Sequence, residues 1–336
     1  MVQIPIDNLS ESWATSYRND FHSLYYAKVQ SSLRDVQMQF STKHIFEWID
    51  KNGSKSIINV QLILDYLDLL ERQLDSLLTI HPRKYLRKIA KFESLIARDD
   101  INKKILVDRK TKEKSLSERI VSAMCFKQMR SKIYPHIARQ MGVKTCVYCN
   151  ANYAITTIGG DGCYDLDHWK PRSLYPYLSV SFYNLQIACP VCNRYKNNDD
   201  SEYFHLWTEG ASFREVFRFK LDKKSVLRYW ISYKAEDIKV PLTVVRRKDN
   251  IMLTHMDNRL RINKRYKEHM DVAEEVLWKK KIYNPSYMTM LRLSFKKFAI
   301  PYSYLYRLQW GTYSGVDNIH KKPLSKLILD ILSAPI

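Results

Sequence analysis

Two copies of one five-residue pattern, CVYCN at 146–150 and CPVCN at 189–193, constrain this chain more than any other feature. Each Cys-x-x-Cys turn can offer two thiolates to one ion at about 2.3 Å, and four soft thiolates in tetrahedral array select zinc and leave it no open position. Cys146, Cys149, Cys189 and Cys192 are therefore expected to hold a structural Zn²⁺ that ties two distant segments together and does no chemistry itself. Six cysteines, four of them in tight pairs, fit a metal site in a reducing compartment better than a disulfide framework. Cys125 and Cys163 read as ordinary small buried residues, although Cys163 is near enough in sequence to substitute as a ligand.

The rest of the composition says what such a zinc module could serve. A chain of 336 residues, 45% hydrophobic, can bury a substantial core. Its 55 Lys and Arg against 35 Asp and Glu give a formal charge of +20, far more than solubility requires. A polyanionic partner is expected, with nucleic acid ahead of an anionic membrane surface. The opening MVQIPIDNLSESW has no basic stretch followed by an apolar run, and no segment reaches the roughly 18 uninterrupted apolar residues of a membrane span. The expected location is cytoplasmic, away from membrane.

The chain reads as α+β and mainly helical, in three parts: a helical N-terminal region over 1–140, a zinc-bearing core over 141–205, and a C-terminal region over 206–336 with short strands and then helices. In the first part Val60, Ile63, Leu67, Leu70, Leu74 and Leu77 recur at steps of three and four, which predicts an amphipathic helix whose apolar stripe faces the core. DKNGSKS at 50–56 predicts a break before it, and HPRK at 81–84 the start of another basic helix. FRFKL (217–221), VLRYWISY (226–233) and KVPLTVV (239–245) are aromatic and β-branched, and predict strands. From about Asp257 a helical period returns, with Ile262, Tyr266, Met270, Ala273 and Leu277 on one face. Pro285 should break that helix, LRLSFKKF (291–298) should form another, and the tail should end in a short helix.

Between the cysteine pairs, two β-prone runs joined by GGDG at 159–162 predict a hairpin whose second strand ends in Asp167 and His168. A long loop broken by Pro171 and Pro176 follows, then the short strand NLQIA, then a helix whose first turn carries Asn193. Zinc would fasten that helix over the hairpin and bring Asn193 near Asp167. A carboxylate and an amide oxygen are hard ligands suited to Mg²⁺ or Mn²⁺. His168 beside them can be a neutral imidazole able to take a proton from water. A divalent ion, a positioned base and surplus positive charge together predict a phosphodiester hydrolase. Lys170, Arg172, Arg194 and Lys196 flank the site as candidate phosphate contacts. The competing reading is a zinc-stabilised module that binds nucleic acid without cutting it.

The order Asp-His, Asn, then Cys-x-x-Cys-Asn, with LDHWKPRS, YNL and CPVCN as its specific words, resembles the HNH endonucleases of the ββα-metal class over residues 146 to about 198. The resemblance implies a ββα-metal HNH core with DNA as substrate, His168 as general base, Asn184 as the middle residue that holds the loop and positions the histidine, and Asn193 in the third position. Many members carry His there, and Asn is a variant also found in phage junction-resolving nucleases with four-cysteine zinc. Asp165, two residues back on the same strand face, ranks behind Asp167 as the acidic ligand. The helical front, the core words and RYKEHMDVAEEV further along resemble bacterial HNH proteins of Septu-type anti-phage defence, which implies an ATPase partner.

Overall fold

The strand Val2–Pro5 lies between Trp207–Thr208, which it meets in parallel, and Arg214–Glu215, which it meets antiparallel. The beginning of the chain is thereby packed into the segment that follows the second cysteine pair. The computed structural model describes residues 1–42, 44–109, 111–296 and 300–335. It is α+β and mainly helical, with small sheets of two to four strands.

The helix Val60–Leu78 forms as its apolar spacing predicts. Asn59 caps it by accepting from the Gln61 N–H, and Ile63, Leu67, Leu70, Leu74 and Leu77 are buried. The stripe is core. It lies against the candidate site through Ser181, whose hydroxyl donates to Leu77 O at 2.6 Å. The basic helix after His81 also forms, as a short turn Pro82–Lys84 running into Tyr85–Glu93.

The N-terminal region is not purely helical. A four-stranded sheet stands in it, ordered Lys55–Ile57, Phe46–Ile49, Lys104–Val107, Thr111–Glu113, all antiparallel. DKNGSKS is the hairpin turn of that sheet. Asp50 Oδ1 accepts from the N–H groups of Asn52 and Ser54, and Gly53 takes a φ of +85°. A left-handed residue at that point is what a tight hairpin requires and what glycine supplies without steric cost.

VLRYWISY is a helix, Lys223–Ser232, and not a strand. Asp222 caps it by accepting from Lys224 N–H, and Val226 and Tyr229 are buried one turn apart. Strand propensity measures fit to a half-buried pleated surface, and here the cap and the three-residue spacing prevail. Phe217–Phe219 and Leu242–Val244 do pair, antiparallel. The following helical period begins earlier than expected, at Asn250, and is interrupted at Arg261, whose φ of 55° separates Asn250–Leu260 from Ile262–Tyr266. Ile262, Tyr266, Met270, Ala273 and Leu277 are all buried. Pro285 begins the helix Pro285–Lys296, with positions 297 and 298 of the expected helix outside the described residues. Ser325–Ser333 is the last helix. Among the described residues no helix is long and apolar enough to cross a membrane.

Candidate functional site

The four cysteines of the repeated pattern come together. Their sulfur atoms all lie within 4.8 Å of one another and all four residues are buried. Tetrahedral zinc with bonds of about 2.3 Å needs sulfur atoms roughly 3.8 Å apart, so the cluster fits a structural zinc ion. The first turn is held by Cys146 N–H to Asn152 O at 3.0 Å and Asn150 N–H to Cys146 O at 2.8 Å. Cys189 caps the helix Pro190–Lys196, which carries Cys192 in its first turn. Arg265 stands against the sulfurs, with guanidinium nitrogens 3.3 Å from Cys192 Sγ and 3.7 Å from Cys149 Sγ. Although its own burial opposes it, the thiolates of Cys192 and Cys149 hold that guanidinium more firmly protonated than usual. With zinc bound, its charge would offset part of the negative charge that four thiolates bring to the ion. Cys125 is buried as expected, whereas Cys163 is exposed and stands outside the cluster.

The two terminal asparagines of the repeat do different things. Asn150 is buried with φ 53°; its amide donates to Thr145 Oγ1 and Ile319 O and accepts from Lys326 N–H at 2.9 Å. It anchors the C-terminal segment to the cysteine turn. Asn193 is only half-buried and faces a cavity.

The expected hairpin around 159–162 forms, but its ladder is short and does not extend to Asp167 and His168. Ile155–Thr156 pairs with Gly162–Cys163 only, and Asp165–His168 pairs antiparallel with Leu185–Ala188. Two residues of pairing cannot bury a face, while Leu166, Leu185 and Ile187 in the second pair can. The result is a strand, a loop, a strand and then the helix Pro190–Lys196, with Asp167 opposite Gln186 and His168 opposite Leu185.

Asp167 is deeply buried, at 4% exposure. Tyr148, inside the first cysteine turn, donates its hydroxyl to Asp167 Oδ2 and receives the Gln186 amide at 2.6 Å. The ammonium of Lys196 lies 3.3 Å from the same carboxylate and 2.7 Å from His168 O. Burial pushes the Asp167 carboxyl above its ordinary range, and Lys196 and Tyr148 pull it back part of the way. Lys196 is therefore an internal counter-ion with no exposed surface, not the phosphate contact its place in the basic run suggested.

His168 is buried against Phe126, ring centroids 4.7 Å apart. A carbonyl can only accept, so the 2.8 Å contact with Ser179 O places the proton on Nε2 and leaves Nδ1 as the basic nitrogen. Burial, reinforced by the nearby Arg172 charge, lowers its pKa to about 3. The ring is neutral across the physiological range. Asn184 closes the intervening loop: its Oδ1 accepts from Lys170 N–H at 2.8 Å, and its Nδ2 donates to Lys170 O and Leu178 O at 3.1 and 3.0 Å. With Trp169 N–H bonded to Asn184 O at 2.8 Å, the residue next to His168 is fixed from both sides.

Asn193 does not meet Asp167 directly. Its amide donates to Asp165 Oδ2 at 2.9 Å, and Arg130 reaches Asp165 Oδ1 at 3.2 Å. Asp167, His168 and Asn193 nevertheless line one cavity of about 350 Å³ with Arg130, Arg172 and Arg194. An ionised carboxylate has about four acceptor positions, so Asp167 keeps capacity for a hard cation beside its bonds to Tyr148 and Lys196. Donation by Asn193 Nδ2 to Asp165 also leaves its amide oxygen available. Among the described residues the only group of three or more His, Cys, Asp or Glu side chains gathered closely enough to hold a metal ion is the four cysteines. Arg172 and Arg194 are exposed, Arg172 lying over the Phe126 ring at 4.8 Å. Lys170 is engaged inward, by Asp200 at 3.0 Å and by the faces of Trp169 and Tyr175.

Tyr148, Gln186, Phe126, Arg130 and Arg265 take part without having been singled out in the sequence. Only Tyr148 carried a signal, by lying within the cysteine pattern. Comparison with protein-family models, with curated proteins and with solved structures returned no match.

Proposed function

We propose that this protein is a metal-dependent endonuclease of the HNH type that hydrolyses DNA phosphodiester bonds. One observation carries the reading: a single open cavity gathers a neutral histidine, a carboxylate, a carboxamide and exposed arginines on the strand–loop–strand–helix unit that the cysteine cluster ties together. In this reading His168 Nδ1 accepts a proton from the attacking water, with Ser179 O holding the ring in the required tautomer and the negative charge of a bound phosphate, which also neutralises Arg172, raising the basicity that burial and that arginine depress in the free protein. Arg172 and Arg194 hold the phosphate. Asp167 and Asn193 would hold Mg²⁺ or Mn²⁺, which when bound offsets the charge that develops on the phosphate and the departing 3′ oxygen. Asn184 is a positioning residue that acts through the loop. A role in anti-phage defence beside an ATPase partner is part of the proposal, and it rests on the sequence resemblance alone.

A second reading has an observation of its own. Asp167 is already bonded to Lys196 and Tyr148, which would suit a zinc-stabilised module that binds nucleic acid without cutting it. Incubating the purified protein with supercoiled plasmid, with Mg²⁺ or Mn²⁺ and with EDTA, separates the two. Nicking or linearisation that needs the ion and is lost in His168→Ala supports the nuclease. Retardation of the plasmid without cleavage under every condition supports the binding module.

A further inference from the structure

A second cavity, of about 560 Å³, adjoins the site and shares Phe126, Arg172 and Asn198 with it. It is built largely by the N-terminal region, from the helix Leu116–Ala123 and the start of the helix Phe126–Lys132, closed by the loop at Arg172 and Ser173. Its volume lies in the range of about 300–1,000 Å³ typical of ligand sites. Lys114 and Lys127 reach it with exposed side chains that have no acidic partner among the described residues. The one carboxylate in its wall, Glu118, is held by Lys104 and by the Ser115 N–H, the latter at 2.9 Å. Asn102, Gln128 and Asn198 add carboxamides, and the buried hydroxyl of Ser173 has no hydrogen-bond partner. Free cations over neutral amides, with the acid neutralised, match a phosphate backbone and its attached sugars and bases.

We propose that this cavity is a substrate subsite, in which the nucleotides flanking the scissile phosphate lie with their backbone between Lys114, Lys127 and Arg172. The inference rests on the nuclease reading and deepens it. Arg172 is the shared boundary, touching the strand where it passes from one cavity to the other. The helical front of the chain, which no motif explains, is then part of the substrate path.

The test is binding of a fluorescent duplex DNA in EDTA, where no cleavage occurs, measured by anisotropy over a series of salt concentrations. Each lost phosphate contact on a duplex lowers the slope of log K against log salt by about 0.9. Lys114→Gln/Lys127→Gln should therefore reduce the slope by about 1.8. A control pair, Lys223→Gln/Lys224→Gln, removes the same charge from residues that line neither cavity and should leave the slope nearly unchanged. With Mg²⁺ the cavity variant should raise KM while leaving kcat close to wild type, because neither lysine touches the reacting atoms. Equal slopes for the wild type and the cavity variant overturn the subsite even if cleavage is seen. A wild type that binds no duplex overturns it too. The expected loss of slope in a protein that never cuts refutes the nuclease reading and overturns the cavity as a substrate subsite, leaving it a DNA contact only.

Discussion

Replacing Lys196 with methionine tests the least expected feature of the site. The ammonium has no exposed surface, and it lies 3.3 Å from a carboxylate that is 5% exposed. Removing one member of a buried pair leaves the other charge uncompensated, which typically costs about 3–5 kcal/mol. Methionine keeps most of the stem's packing, so little of the loss should come from a void. The Tyr148 hydroxyl and the His168 backbone would be left to stabilise the Asp167 anion, and its carboxyl should rise further above the ordinary range. A carboxyl with a raised folded-state pKa binds more protons folded than unfolded, so the variant should regain stability as the pH falls toward 5. The assay is urea unfolding of the zinc-loaded protein at pH 7 and pH 5, for Lys196→Met, Asp167→Asn and the double variant. The double variant should recover the part of the loss that comes from the uncompensated carboxylate but not the part from the unpaired His168 carbonyl, with a coupling energy of at least about 1 kcal/mol. A loss below about 1 kcal/mol for Lys196→Met, equal at both pH values and additive with Asp167→Asn, would show that the pair is not a buried unit in solution.

Three further outcomes are expected. Elemental analysis should find one zinc per chain, and Cys146→Ser should lose it together with most of the folded population, since structural zinc supplies on the order of 10–16 kcal/mol of apparent binding energy in small modules. Full-length folded protein without zinc would contradict the assignment. His320 is buried, donates to Val2 O at 2.7 Å, and has its pKa lowered by burial to about 4. Below about pH 6.5 the unfolded chain takes up a proton that the folded chain does not, so the fold should lose about 2 kcal/mol through this residue by pH 5, and His320→Gln should flatten the measured stability–pH curve over that window. Asn184→Ala removes three hydrogen bonds to the loop, so it should lower kcat more than it raises KM, and a change confined to KM would remove its positioning role.

What the sequence revealed and what it hid differ for physical reasons. The cysteine cluster was legible because thiolate pairs at that spacing have few other uses. The helix Val60–Leu78 was legible because its period is unbroken. The order strand, loop, strand, helix was also readable, but the partner of Asp165–His168 was not: strand propensity says that a segment is extended and is silent on which other segment it meets. Lys196 could not be recognised as a counter-ion, since a lysine close to Arg194 in the sequence reads as a phosphate contact until the helix turns it toward Asp167. For the same reason Asp165, ranked second, proved to be the carboxylate bonded to Asn193. The helix Lys223–Ser232 was misread because its aromatic, β-branched composition hid a three-residue spacing and an Asp cap.

The most direct test of the nuclease account is the initial rate of plasmid cleavage against Mn²⁺ concentration for the wild type, His168→Ala, Asn193→Ala and Asp167→Ala. Loss of the base should abolish cleavage at every concentration, because no amount of metal replaces the proton acceptor. Loss of a ligand should shift the curve, with Asn193→Ala partly recovered at raised Mn²⁺ and Asp167→Ala showing a stronger form of the same defect. Cleavage by His168→Ala at the wild-type rate would contradict the account at its centre.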